Sequence, residues 1–165
     1  MNVTSSGIVG GYWADRFGKF GSQKNDYGKA TCSVPFSISD APEETVSFAA
    51  VLDDMDSIPV CGFCWIHWTL CNLTTTQVAE NASINAPAFT QGCTSFHSVA
   101  GEESIEAASN YGGMAPPDKE HEYTLTVYAL DCKLDLKSGF YLNELKHAMR
   151  GHVLTHASIR AKYRA

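Results

Sequence analysis

Tyr111-Gly-Gly-Met-Ala-Pro-Pro-Asp-Lys-Glu-His-Glu-Tyr123 joins a glycine-entered, proline-stiffened turn to the first residues of a strand. Gly112 and Gly113 admit positive φ and a close approach of the backbone to a small guest, and Pro116 and Pro117 fix φ as the chain turns. From His121 to Leu130 the sequence alternates. His121, Tyr123, Leu125, Val127 and Ala129 fall on one face, and Glu122, Thr124, Thr126 and Tyr128 on the other. The core-facing row therefore opens with an imidazole and a phenol. Buried without partners, such groups cost about 1–3 kcal/mol each, so they call for hydrogen bonds to one another or to a ligand.

Working outward, the stretch from Val46 to Asp56 makes the same move from its other end. Val46, Phe48, Ala50 and Leu52 share a face whose next member is Asp54, and Asp56 follows two residues later. Trp65 to Asn72 reads as a third strand, with Trp65, His67, Thr69 and Cys71 on one face and Ile66, Trp68 and Leu70 on the other. Three segments thus deliver polar groups at the ends of apolar rows beside a glycine turn, a convergence that suits a small-ligand pocket. The competing reading is a polar cluster whose members satisfy one another and the loop backbone.

Strands are predicted near residues 31–38, 45–54, 64–72 and 121–130, separated by polar loops bearing Gly and Pro. One helix is predicted from Tyr141 to Leu154, where Leu142, Leu145, Met149 and Val153 recur at helical intervals and Gly151 interrupts near the end. In a last strand Ala157, Ile159, Ala161 and Tyr163 alternate with Ser158, Arg160 and Lys162. The array predicts a mainly β, antiparallel sandwich with one or two peripheral helices.

A chain of 165 residues, 44% hydrophobic and without a linker or repeat, suits one domain spanning 1–165, with residues 1–24 the least patterned part. The net charge of −6 and scattered basic residues argue against nucleic acid or an anionic membrane surface as partners. No basic leader or long apolar run is present, so a cytoplasmic protein without stable membrane insertion is predicted. The Asn-X-Ser/Thr triplets at Asn2, Asn72 and Asn81 then carry no weight. In that setting the six cysteines read as thiols. Cys61-Gly-Phe-Cys64 with His67 has the look of a metal or redox motif, but no second metal-spaced pair accompanies it. His152 and His156 stand four apart without a carboxylate at a matching interval, His147 sits where it would face a helix C-terminus, and His97 lies in a Ser/Thr-rich loop. No metal and no cofactor is predicted.

Asp54-Met-Asp56, Ile66-His67-Trp68, the Tyr111–Pro117 turn and His121-Glu-Tyr123 together resemble the signature segments of the phosphatidylethanolamine-binding protein family, in particular its small bacterial and archaeal Raf-kinase-inhibitor-like members. Ser33-Val-Pro-Phe, Thr45-Val-Ser-Phe, Val127-Tyr-Ala-Leu-Asp131 and Met149-Arg-Gly-His-Val-Leu154 extend the match from about residue 25 to the last strand. The resemblance implies a Greek-key-like β-sandwich. It also implies a small anion-binding cavity holding Asp54, His67, His121 and Tyr123, with Asp56 beside it. Backbone from Gly113 to Pro116 would contribute, and there Ala115 can donate while Pro116 cannot. This chain departs from the usual Asp-Pro-Asp-Ala-Pro, which is Asp54-Met-Asp-Ser-Ile58 here, and Glu122 replaces the usual arginine between the His and the Tyr. It also ends at a strand, without the C-terminal helix of the eukaryotic members, which predicts an open mouth.

Family members bind phospholipid head groups and modulate kinases or proteases, and the bacterial ones suggest a homodimer. The function predicted is therefore a non-catalytic binding protein that holds a phosphate- or carboxylate-bearing group. Asp54 would share a proton with the anion, orient a histidine, or meet a cationic end of the ligand. The alternatives are a hydrolase of esters or phosphoesters using a His/Asp acid–base pair, and an interaction module with a vestigial pocket. No Gly-x-Ser-x-Gly elbow, His-Glu-x-x-His helix or phosphate loop supports the hydrolase.

Overall fold

The computed structural model describes residues 1–85 and 88–165. The elements in chain order are β1 (Asn2–Thr4), β2 (Ile8–Val9), β3 (Tyr12–Trp13), β4 (Phe36–Ser39), β5 (Ser47–Asp54), α1 (Ile58–Cys61) and β6 (Trp65–Leu73). There follow β7 (Gln77–Val78), β8 (Thr90–Gln91), α2 (Ile105–Ala108), β9 (His121–Leu130), α3 (Leu142–Ala148) and β10 (Val153–Tyr163). A small sheet of order β1-β4-β7 packs on a large one of order β2-β3-β10-β9-β5-β6-β8. All pairings are antiparallel except β3 with β10. The expected mainly β sandwich is thus the observed architecture.

The main core lies between the sheets, where Val3, Phe36, Ile38 and Val78 meet Phe48, Ala50, Leu52, Leu125 and Val127. Each such side chain, fully buried, contributes roughly 1.5–3 kcal/mol. On the outer face of the large sheet a second cluster gathers Ala49, Val51 and Cys71 under Leu145 of α3 and Met149 just past its end. Both faces of the central strands are therefore covered.

β9 follows its sequence pattern: residues 121, 123, 125, 127 and 129 are buried and 122, 124, 126 and 128 are not, while Leu130 at its end is buried in the second cluster. β6 does not. Leu52 pairs with Trp68 but Asp53 pairs with Ile66, so His67 is an extra residue in the ladder, a β-bulge. The bulge turns His67 to the inner face with Trp68 and Leu70, whereas simple alternation placed it with Thr69 and Cys71. A second register shift between Phe48 and Ala50 follows, with Asn72 in the left-handed region at φ 61°. The Asn72 amide pins that bulge by bonding both the N–H and the C=O of Leu134, at 2.8 and 2.9 Å.

Other expectations are corrected too. The helix ends at Ala148, because Gly151 at φ 80° reverses the chain and sends Val153 and Leu154 into β10. Glu144 supports its start by accepting the Tyr141 N–H at 2.7 Å. Within the 31–38 stretch only Phe36 onward is laddered, and residues 31–35 run as buried extended chain. Two one-turn helices, α1 and α2, carry no strong periodic signal. Residues 1–24 supply three strands and the buried Trp13 and Phe17. The Phe17 carbonyl accepts from the Tyr111 hydroxyl at 2.6 Å and the Met114 N–H at 3.2 Å, bracing the glycine turn from below.

Candidate functional site

β5, β6 and β9 reach the same edge of the large sheet. Asp54 pairs with Tyr123 on one side and with Trp65 on the other, and His121 lies two residues before Tyr123 on the same face. Together with His67 they form the floor of a cavity of about 610 Å3, walled by Trp65, Phe96 and Lys29. That volume sits in the roughly 300–1,000 Å3 range of small-molecule sites.

His121 is enclosed, its side chain without exposure, between two carboxylates. Nδ1 lies 2.7 Å from the buried Asp54 Oδ2, and Nε2 lies 2.9 Å from the half-exposed Asp118 Oδ1. Burial opposes its charge, yet the hydrogen bonds to Asp54 and Asp118 prevail and its pKa is raised. With an acceptor on each nitrogen, the geometry favours the protonated ring, which then has no donor to spare. Asp54 also accepts the Ser57 N–H, at 3.1 Å. Among the three roles open to Asp54, the geometry is that of an acceptor orienting a histidine.

His67 has the opposite character. Burial lowers its pKa to about 4 against the hydrogen bond to Gly112, so the ring is neutral. Its Nδ1 donates to the Gly112 carbonyl at 2.8 Å, and its own carbonyl, released from the ladder by the bulge, accepts the Gly112 N–H at 2.8 Å. Nε2 is then a lone-pair acceptor, and no partner for it occurs among the described residues. The ring stands edge-on to Tyr123, centroids 5.1 Å apart, and to Phe96, at 5.8 Å.

The Tyr123 hydroxyl is buried with no hydrogen-bond partner among the described residues. Burial, then the charge of Asp54, push its pKa well above the ordinary phenol value, so it remains a donor. The cavity floor thus offers one unmatched donor and one unmatched acceptor around a neutralised Asp54–His121 pair.

Gly113 and Ala115 lie on the cavity wall, but Pro116 does not, and Pro117 takes that place. The Pro116 carbonyl instead accepts from the Lys19 ammonium at 2.7 Å. Asp56 is outside as well, where its carboxylate accepts the Glu122 N–H at 2.9 Å. Neither Gly112 nor Gly113 has positive φ. Their lack of a side chain serves packing, since a Cβ on Gly112 would come within 2.1 Å of the Phe96 ring and one on Gly113 within 2.6 Å of Ala30.

Several lining residues gave no sequence signal. Lys29 spends its three protons on Glu103, the Ala107 carbonyl and Asn110, at 2.7, 2.7 and 3.2 Å. It anchors the 95–110 loop and has no donor left for a guest. Lys19, bonded once, keeps donors free at the rim. Asp118 stands three residues before His121, and that i,i+3 spacing is a sequence signal for their contact. The Cys61-x-x-Cys64 motif contributes only Cys61 to the wall, its thiol directed to the Ser57 and Phe63 carbonyls at 3.4 Å each. All six cysteines are free thiols, and among the described residues no helix is long and apolar enough to cross a membrane.

Comparison with known proteins places the chain in a family. The model of the phosphatidylethanolamine-binding protein family matches residues 6–164. The Bacillus subtilis protein YxkA, described as uncharacterised, is 42% identical over 153 residues, covering 90% of this chain and 91% of its own. A UPF0098 protein of Chlamydia muridarum is 35% identical over 136 residues, 79% of this chain and 81% of its own. Among solved structures, a protein of Chlamydia trachomatis described as a phosphatidylethanolamine-binding protein homologue superposes with a TM-score of 0.80 at 29% identity, covering 99% and 97% of the two chains. YbcL of E. coli gives a TM-score of 0.77 at 25% identity, over 99% and 98%.

Proposed function

The chain belongs to the phosphatidylethanolamine-binding protein family, and from that membership and the unmatched groups of its cavity we propose a non-catalytic protein that holds a protonated oxyanion, a phosphate monoester foremost. The observation that carries this reading is the buried Tyr123 hydroxyl without an acceptor. A phosphate oxygen would accept from it, a P–O–H would donate to His67 Nε2, and Lys19 at the rim would add charge. A fully deprotonated phosphate would instead set a lone pair against the neutral His67. A free phosphate monoester, a phosphorylated side chain of a kinase or protease partner and a lipid head group that ends in a phosphate monoester all present this chemistry, whereas a phosphodiester head group has no P–O–H to donate.

A hydrolase with Ser57 as its nucleophile is disfavoured by the contacts of that hydroxyl. Ser57 Oγ lies 2.6 Å from the Asp54 carbonyl and 2.9 Å from the Phe63 carbonyl, and it accepts the Trp65 N–H at 2.8 Å. It is committed to the α1 turn, and among the described residues no base bonds to it.

Titration calorimetry with inorganic phosphate and phosphoethanolamine tests the reading. Binding should weaken at least about tenfold, 1.4 kcal/mol, in Tyr123→Phe and in His67→Ala, within the 1–3 kcal/mol range for an unpaired buried polar group. It should also weaken as the pH rises through the second ionisation of a phosphate monoester, about 6. Equal affinities in wild type and both variants would remove the pocket assignment.

A further inference from the structure

Strand β9 is ten residues long, so its two ends lie about 30 Å apart at roughly 3.4 Å per residue. The cavity occupies the end that begins at His121. At the other end the last ladder pair of β9 and β10 is Leu130 with Val153, and the next backbone bond runs from the Asp131 N–H to the His152 carbonyl at 3.1 Å. The ladder thereby sets residues 131 and 152 side by side as cross-strand neighbours. Their side chains meet, with His152 Nδ1 2.9 Å from Asp131 Oδ1. The chain bends immediately afterwards and brings the Cys132 thiol back to the same point. One ligand atom from each of Asp131, Cys132 and His152 lies within 4.8 Å of the other two, and no other group of three such residues among those described converges so closely.

We propose that Asp131, Cys132 and His152 form a binding site for a thiophilic divalent cation, Zn2+ above others. Thiolate, imidazole and carboxylate are the zinc ligand set, and three protein ligands leave a fourth tetrahedral position for water. The thiolate excludes Ca2+ and Mg2+, which take oxygen ligands. The scaffold is rigid where it matters. The Cys132 carbonyl accepts from the hydroxyl of the fully buried Ser47 on β5, and the Asp131 N–H is tied to His152 across the ladder. Metal sites need such support to hold their ligands at usable distances. The sequence alone predicts no metal here, because His152 and His156 stand four apart without a matching carboxylate; in the fold His156 lies against Tyr128 on the strand, and Asp131 and Cys132 join His152 instead.

The site has a structural consequence. Residues 133–151 form the crossover that carries α3, and Leu145 of the helix and Met149 just past its end cover the outer face of the large sheet. A cation joining Cys132 to His152 closes that crossover at its neck, so binding should hold α3 to the sheet and raise the unfolding temperature as free metal rises.

The test uses the whole chain after chelator treatment and dialysis, titrated with Zn2+ by calorimetry and with Co2+ by absorbance. The expected result is one equivalent of metal, a thiolate-to-cobalt charge-transfer band, and a Zn2+-dependent rise in unfolding temperature. Cys132→Ser should abolish the band, and both Cys132→Ser and His152→Gln should weaken Zn2+ binding by more than the roughly 10–100-fold that outer-shell changes cost. The double variant Cys61→Ser/Cys64→Ser should keep both signals. Absence of binding, a thiolate band that survives Cys132→Ser, or a band lost with Cys61 and Cys64 would overturn the proposal. His152 is 47% exposed, so His152→Gln carries the test even if Cys132→Ser fails to fold.

Discussion

β9 and β6 both place a histidine on the cavity floor, by different means. β9 keeps period two from His121 to Ala129, so His121 and Tyr123 reach the cavity as the first members of its inward-facing row. β6 carries one residue more than its partner, and that residue is His67. A regular strand delivers a side chain wherever its register dictates, whereas a bulge delivers one out of register and releases a carbonyl, here to the Gly112 N–H. The contrast teaches that the site combines a legible half with a half made by breaking the rule.

Single-residue deletions break this comparison most forcefully. Removing Thr124 from β9 shifts everything beyond it by one and turns His121 and Tyr123 to the wrong face, so the variant should fail to fold. Removing His67 should leave a regular ladder, because Ile66 and Trp68 already pair with the adjacent Asp53 and Leu52. That variant should fold at a cost of about 1–3 kcal/mol for each Gly112 group left unpaired, and should lose phosphate binding. Soluble yield, circular dichroism and urea unfolding of the two deletions check it, and the reverse ranking would sink the account of the bulge.

The two histidines also differ in the sign of their response to acid. The His67 pKa falls from 6.5 to about 4 on folding, so between those values the unfolded chain holds the extra proton. Its contribution is therefore lost as pH drops through that window, by about 3 kcal/mol in all at 1.4 kcal/mol per unit. His121 is shifted upward, and its contribution is complete below 6.5 and fades as pH rises through its folded value. Urea denaturation of wild type and His67→Gln across the acid window should give curves that converge as pH falls, the variant having lost the His67 part of the slope. Parallel curves would mean that His67 is not held neutral.

Much of this was readable in advance. Apolar rows ending in Asp54, His121 and Tyr123 announced both the large sheet and its polar edge, since period-two alternation is a local property of the chain. The bulge at His67 was not readable, because an extra residue is defined only against a partner strand some fifteen positions away. Nor was Lys29 with Glu103, a pair 74 residues apart that meets only through tertiary packing. Asp56 and Pro116 misled for a related reason. Their neighbours line the cavity, but the backbone turns each of them outward, to the Glu122 N–H and to Lys19.

The bulge and the glycine turn fit each other through Phe96, which offers a smaller perturbation. A methyl on Gly112 would come within 2.1 Å of that ring. Gly112→Ala should cost about 1–3 kcal/mol as an overpacking change and should lower phosphate affinity by displacing His67. A loss of stability with affinity intact would show that the turn and the bulge are mechanically separate.

The smallest effect discriminates best between a pocket and a self-satisfied polar cluster. A hydroxyl that serves only the fold leaves a deficit when removed, whereas one held ready for a guest is itself the deficit in the empty protein. Tyr123→Phe removes a buried donor that has no acceptor among the described residues while keeping the ring against His67 and Tyr163. The ligand-free variant should therefore be as stable as wild type or more so, by about 1 kcal/mol, because the cost of an unpaired buried group disappears with it. Added phosphate should then raise the unfolding temperature of wild type more than that of the variant, so the two melting curves draw together or cross as ligand increases. A ligand-free variant less stable than wild type would mean that the hydroxyl already has a partner in the empty protein, and Tyr123 would then serve the fold and not a ligand.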